Sequence, residues 1–215
     1  MSAPTDLQPN WTVADLLQHF GPILFTRIRH DPAPGSATER DVVEIEQQEG
    51  RLYELVDGVL VEKAMGYAES VLAGWLLTSL NIFLGKNNLG IAAGADGMLR
   101  LTSGLVRIPD VSFISWQRLP GRRIPREPLP ALAPDLAVEV LSANNTKEEM
   151  ERKLREYFAA GVVLVWYIDP RKQTVRVYTS PDHSKLLRGK QILDGAPVLP
   201  GFSMPLPELF KERAG

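Results

Sequence analysis

The sequence predicts an α/β protein of the mixed (α+β) kind: a mixed β-sheet flanked by helices, behind a short helical N-terminal extension. Three observations predict it. Two apolar runs flank Asp57-Gly58, two long stretches carry the helical period, and Leu136-Ala137-Val138-Glu139-Val140-Leu141 reads as a strand buried on both faces. Alternation of helical and strand patterns is the mark of a sheet with helices packed against it. A chain of 215 residues, 44% apolar and 23% charged, can bury one sizeable core and has the composition of a globular protein.

Residues 1–50 read as the extension. Thr12 is placed to cap a helix to Phe20, Asp31-Pro32-Ala33-Pro34-Gly35-Ser36 is a loop by composition, and a second short helix is expected from Glu39 to Gln47. The core domain is expected from Arg51 to Gly215. Leu52–Val56 and Val59–Glu62 around Asp57-Gly58 form a two-residue hairpin signal. A helix is expected from Tyr67 to Leu84, with Leu72, Leu76, Leu80 and Phe83 on one face and Gly85 as its stop. Strands follow near Gly90–Ala93, Gly97–Leu101 and Val106–Trp116, then a proline-rich loop over 117–134. After the Leu136–Leu141 strand, Thr146-Lys147-Glu148-Glu149 fits a capping box opening a helix to about Ala160, with Gly161 ending it. Val162–Ile168 and Thr174–Tyr178 supply two more strands, and Val198–Phe210 a last extended piece with a turn of helix.

Several function classes are excluded or made less attractive by composition. The absence of cysteine rules out disulfides, thiolate catalysis and cysteine-ligated zinc, and three dispersed histidines (His19, His30, His183) argue against a histidine zinc site. A net charge of −2 provides no global basic field, so nucleic-acid contact must be local. No signal-peptide pattern opens the sequence, and no uninterrupted apolar run reaches the roughly 18 residues needed to span a bilayer. The expectation is a cytoplasmic protein with no membrane contact.

Glu139 is the most informative residue. It shares one strand face with Ala137 and Leu141, in a run that is otherwise apolar, and a carboxylate there must be paired, hydrogen-bonded or metal-bound. A structural ion pair is its plain alternative. Asp110 stands at the mouth of Val111-Ser112-Phe113-Ile114, where a Pro-Asp turn start would also explain it. Two carboxylates on adjacent strands would offer hard oxygen ligands to Mg²⁺, about 3–6 Å apart if they share one ion. Lys153 lies 14 residues beyond Glu139, at the border of the stripe formed by Met150, Leu154 and Tyr157, while Arg152, Arg155 and Glu156 point away. It reaches the sheet or snorkels. Glu69, in the first turn of its helix, is either an outer site carboxylate or a partner of the helix N-terminus. Arg118, Arg122, Arg123 and Arg126 could hold phosphates or simply be solvated.

Taken together, Ile108-Pro109-Asp110-Val111, Leu136-Ala137-Val138-Glu139-Val140-Leu141-Ser142 and Glu151-Arg152-Lys153-Leu154-Arg155-Glu156-Tyr157 resemble the PD-(D/E)XK nuclease superfamily. More closely they are similar to the bacterial Uma-two restriction-endonuclease family (domain of unknown function 820). Tyr53-Glu54-Leu55-Val56-Asp57-Gly58, Val165-Trp166-Tyr167-Ile168-Asp169-Pro170 and Leu199-Pro200-Gly201-Phe202 add to the match, which spans about residues 51–210. The resemblance implies a restriction-endonuclease-like core and metal-dependent phosphodiester hydrolysis. Asp110 and Glu139 would ligate Mg²⁺ or Mn²⁺, Lys153 would be the catalytic cation, and Glu69 would take the supporting position at the start of the first core helix. Position 141 is leucine where the superfamily pattern has its lysine. Nucleic acid, DNA foremost, is the implied partner, with a homodimer left open. Two other readings stand beside it: a binding module that does not cut, and a structural subunit using residues 1–50 as an interaction arm.

Overall fold

The structure is a computed structural model and describes residues 11–63 and 65–211. Among these, the N-terminal segment supplies α1 (Val13–Phe20) and α2 (Glu39–Glu49). The α1 helix opens on a complete capping box between Thr12 and Asp15, and α2 on one between Thr38 and Asp41, so both begin where short polar side chains satisfy orphan amides. Leu16, Phe20, Ile23 and Ile28 are buried against Val56, Val59 and Val61, and Val42 and Ile45 pack on Tyr53 and Leu55. The segment expected as an extension thus covers the hairpin that follows it.

That hairpin is β1 (Tyr53–Val56) and β2 (Val59–Glu62), with Asp57 and Gly58 both at positive φ (48° and 73°). A two-residue turn of this kind matches the twist of the flanking strands. The hairpin extends into a four-stranded antiparallel sheet with β5 (Leu105–Arg107) and β4 (Leu99–Thr102), in the order β2-β1-β5-β4. A six-stranded mixed sheet holds the rest, with β3 (Gly90–Ala93), β6 (Val111–Ser115), β7 (Leu136–Val140), β8 (Leu164–Asp169), β9 (Thr174–Ser180) and β10 (His183–Arg188) ordered β10-β9-β8-β7-β6-β3. Only β7 and β8 run parallel, joined by the crossover helix α4 (Lys147–Ala159). A small hairpin, β11 (Ile192–Asp194) with β12 (Ser203–Pro205), and the turn of helix α5 (Leu206–Leu209) close the described chain.

The strand expected over Val106–Trp116 is two strands in two sheets. Pro109 has no N–H to give a ladder, and Ile108-Pro109-Asp110 carries the chain from β5 in one sheet to β6 in the other. Helix α3 (Tyr67–Asn87) passes through Gly85, which meets no neighbour, and ends at Asn88 in the left-handed region (φ 40°). Asparagine tolerates that conformation, so the stop lies three residues beyond the one expected. At 21 residues, with a mean hydropathy of 1.3 in an 18-residue window, α3 is by length and composition alone apolar enough to cross a membrane, although no uninterrupted apolar run of that length is present in it. Its Ser, Thr, Asn and Gly residues break the apolar run without lowering the mean much. Leu72, Leu76, Leu80 and Leu84 seat it on the six-stranded sheet, against Val111, Val138, Val140 and Trp166.

The opposite face of that sheet carries α4. Met150, Leu154 and Tyr157 pack on Ala137, Val165 and Tyr167, with Leu99 and Leu101 of the second sheet alongside. The two-residue period of β7 therefore sends Val138 and Val140 toward α3, and Ala137 and Glu139 toward α4 and the seam between the sheets.

Candidate active site

The seam gathers charged side chains from β1, β5, β7 and α4, with Lys63 just past β2 and Asp110 just before β6, and most of them are buried. Asp110 prolongs the β6 ladder, its N–H donating to the Val138 carbonyl (2.9 Å), while its Oδ2 accepts the Val140 N–H (2.6 Å). The break at Pro109 thus fixes the carboxylate beside the C-terminal half of β7, where Glu139 projects. Both carboxylates lie within 4 Å of one ammonium: Lys63 Nζ is 2.6 Å from Asp110 Oδ1 and 3.9 Å from Glu139 Oε2. The same Nζ donates to the Ile108 carbonyl (2.5 Å).

Lys153 approaches from α4. Its Nζ is 2.9 Å from Glu54 Oε1 and 3.4 Å from both Glu139 oxygens, and the residue is 3% exposed. Four residues on, the Tyr157 hydroxyl donates to Glu139 Oε1 at 2.6 Å. Glu54, on β1, is saturated: Lys153 and the Ile108 N–H (3.2 Å) bond Oε1, and Arg107 Nη1 bonds Oε2 at 2.7 Å. Arg107 also grips Glu156 of α4. Glu156, expected to point away, is drawn in because the second sheet presents Arg107 on that flank. Arg152 is likewise turned inward at its own end, stacked over the Phe20 ring (4.4 Å) and donating to the His19 carbonyl.

Four carboxylates thus face three cations in a largely buried space. Burial disfavours ionisation of Glu54, but Lys153, Arg107 and Lys63 outweigh it and hold its pKa well below the usual carboxylate range. Burial dominates at Glu139, and Asp110 and Glu54 add to it, so its pKa is raised in spite of Lys153 and Lys63. Burial pulls the Lys153 ammonium down, and Glu139 and Glu54 reverse this, leaving it firmly charged. The Tyr157 hydroxyl is pushed well up by burial and by Glu139, which keeps it a donor.

Asp110, Glu139 and Lys153, selected from the sequence, come together here. Glu69 does not join them. Its carboxylate folds back over Gly66 at the start of its own helix, and no hydrogen bond or ion pair ties it to the described residues of the cluster. Arg118 is a structural clamp, bonding Asp135 (2.7 Å) and the carbonyls of Ala133 and Gly161, whereas Arg122, Arg123 and Arg126 are exposed. Sequence reasoning missed Glu54, Lys63, Arg107 and Tyr157. Glu54 carried the signal that singled out Glu139, a carboxylate inside an apolar strand; Lys63, just past a hairpin, carried none.

Among the described residues, no set of three or more His, Cys, Asp or Glu side chains is gathered for a metal. The pair Asp110 and Glu139 nevertheless fits one hard divalent cation, since Mg²⁺ is commonly held by one or two carboxylates and completed by water and phosphate oxygens. The Lys63 ammonium lies within 4 Å of an oxygen of each carboxylate. A cleft of about 580 Å³ opens beside the cluster, past the C-terminal ends of β7 and β8, lined in part by Asn145, Lys147, Tyr167, Arg171, Lys172 and Tyr178. None of Asp110, Glu139 and Lys153 lines it.

A mixed sheet that carries an acidic pair where β6 and β7 adjoin, with a lysine reaching it from the crossover helix α4, defines the α+β architecture of the site. The chain belongs to the Uma2 family, described as "Putative restriction endonuclease", whose model matches residues 40–207. Among solved structures it resembles the crystal structure of a "putative nuclease belonging to DUF820" from Anabaena variabilis. That likeness has a TM-score of 0.66 at 20% identity, covers 74% of this chain and 89% of the other, and concerns the fold. No curated protein matches the chain.

Proposed function

We propose that the chain is a divalent-metal-dependent endonuclease that hydrolyses phosphodiester bonds of nucleic acid, with DNA as the first substrate class. The observation that carries this reading is the placement of Asp110 and Glu139 on adjoining strands around one cationic position, with a second buried lysine against Glu139. Mg²⁺ or Mn²⁺ held by the two carboxylates would polarise a phosphate oxygen and lower the pKa of a bound water. The chain's residues do the positioning. The Val140 N–H orients Asp110, the Tyr157 hydroxyl orients Glu139, and Glu54 with Arg107 steadies Lys153. Lys153 supplies fixed positive charge for the phosphate as negative charge develops on it. Glu69 stands apart from this set, and Glu69→Gln is expected to cost little beside Asp110→Asn.

A second reading, a module that binds nucleic acid without cutting, is favoured by one observation: Glu54 is already saturated by buried cations, as in a structural ion-pair network. Incubation with supercoiled plasmid, linear duplex and single-stranded DNA, with Mg²⁺, Mn²⁺ or chelator, decides between them. Metal-dependent cutting that Asp110→Asn and Glu139→Gln abolish supports the nuclease. Binding to these DNAs with no cutting under any of the conditions overturns it.

A further inference from the structure

Lys63 has no part in the proposed chemistry, yet among the described residues it has the shortest contact to Asp110 of any cation. Its side chain is 8% exposed, and its backbone is pinned by the Lys63 N–H to the Leu52 carbonyl (2.9 Å) at the end of β2. Only the flexible four-carbon stem is free to rearrange. The ammonium is Asp110's one side-chain partner among the described residues, it is the nearer of two lysines to the space between Asp110 and Glu139, and a neighbouring carbonyl supports it. Glu54 takes its side-chain hydrogen bonds from Lys153 and Arg107, not from Lys63.

We propose that Lys63 is a built-in competitor of the divalent metal: its ammonium fills the cation position between Asp110 and Glu139, and metal binding requires its displacement. This rests on the metal-dependent reading above. Two charges of the same sign cannot share a desolvated position between the same oxygens, so the two occupants exclude each other. The apparent affinity for metal is then the intrinsic one reduced by the fraction of molecules in which Lys63 has left. If it is in place in about nine molecules of ten, the penalty is about tenfold.

The experiment is Mn²⁺ titration by calorimetry of the full chain, the Lys63→Met and Lys63→Gln variants and Asp110→Asn, with the circular dichroism of each checked first. Both Lys63 variants should bind Mn²⁺ about tenfold or more tighter than wild type, and Asp110→Asn should lose binding. Amine labelling of the wild type followed by peptide mapping gives a readout that depends on no variant folding. Labelling of Lys63 should rise with Mn²⁺ while that of Lys153 stays low. Equal Mn²⁺ affinity with unchanged Lys63 labelling overturns the competition and leaves the metal site standing. No Mn²⁺ binding in any of the proteins, again with unchanged labelling, overturns the metal-dependent reading and the competition with it.

Discussion

Two carboxylates depend on one side chain at Lys153. Glu54 and Glu139 sit within 3.4 Å of an almost fully buried ammonium, so Lys153→Met takes from both the cation they share. Removing one partner of a buried pair costs about 3–5 kcal/mol, and loss of one preorganised donor slows a reaction on the order of 100- to 1,000-fold. We therefore expect Lys153→Met to lower stability by that amount in urea melts and, under the nuclease reading, to slow cleavage by that factor. Arg155→Met, on the same helix but exposed, should change neither. Equal stability of the two variants would mean that the carboxylates find other partners. Lys153 was legible in the sequence because helical geometry fixes which residues line a stripe. Its deeper burial was not, because a helical wheel contains one helix and omits the second sheet that closes over its flank. The same omission hid Glu156's partner.

Elements were legible where a local rule sets them and blurred where a distant partner does. The Asp57-Gly58 turn and the caps at Thr12 and Thr146 depend on a few neighbouring residues and fall where the pattern puts them. The box expected at Thr146 is only half formed. The Thr146 hydroxyl accepts the Glu149 N–H, but the Glu149 carboxylate turns away to a bidentate pair with Arg27 (2.9 and 3.1 Å), 122 residues earlier. A buried tie to another element wins over a local cap. Burial opposes ionisation of Glu149, and the Arg27 hydrogen bonds with Lys153's charge outweigh it, so its pKa is lowered. A depressed carboxylate contributes stability that is present above its unfolded pKa, about 4.3, and is lost as pH falls through the folded value. Arg27→Met should cost about 3–5 kcal/mol at pH 7. The deficit should shrink as pH falls below about 4.3, and Arg27→Met/Glu149→Met should recover part of it at neutral pH. Urea melts at pH 7 and in acid check this. A deficit independent of pH would assign Arg27 a packing role.

At the scale of the molecule, no local pattern tells that β5 and β6 belong to different sheets, because strand partners lie far apart in sequence. The same reason made residues 1–50 look separable. Leu16, Phe20, Ile23 and Ile28 cover Val56, Val59 and Val61, and burying one such side chain is worth about 1.5–3 kcal/mol. Deleting residues 1–30 should therefore remove most of a stability margin of about 5–15 kcal/mol and broaden or abolish the thermal transition. A chain that kept a sharp melt and changed only its assembly mass would instead have lost an interaction arm.

The crossing at Ile108-Pro109-Asp110 also sets an order of events. Glu54 and Lys153 are 99 residues apart, and Arg107 and Glu54 are 53 apart, so the charged cluster is among the most non-local features of the chain. Contacts of such separation form only after the intervening chain has condensed, since loop closure must come first. A nascent chain that has not yet delivered α4 holds the acidic residues of β1 and β7 without the lysine that neutralises them. Whatever chemistry the cluster performs waits until α4 has been delivered and the two sheets have met.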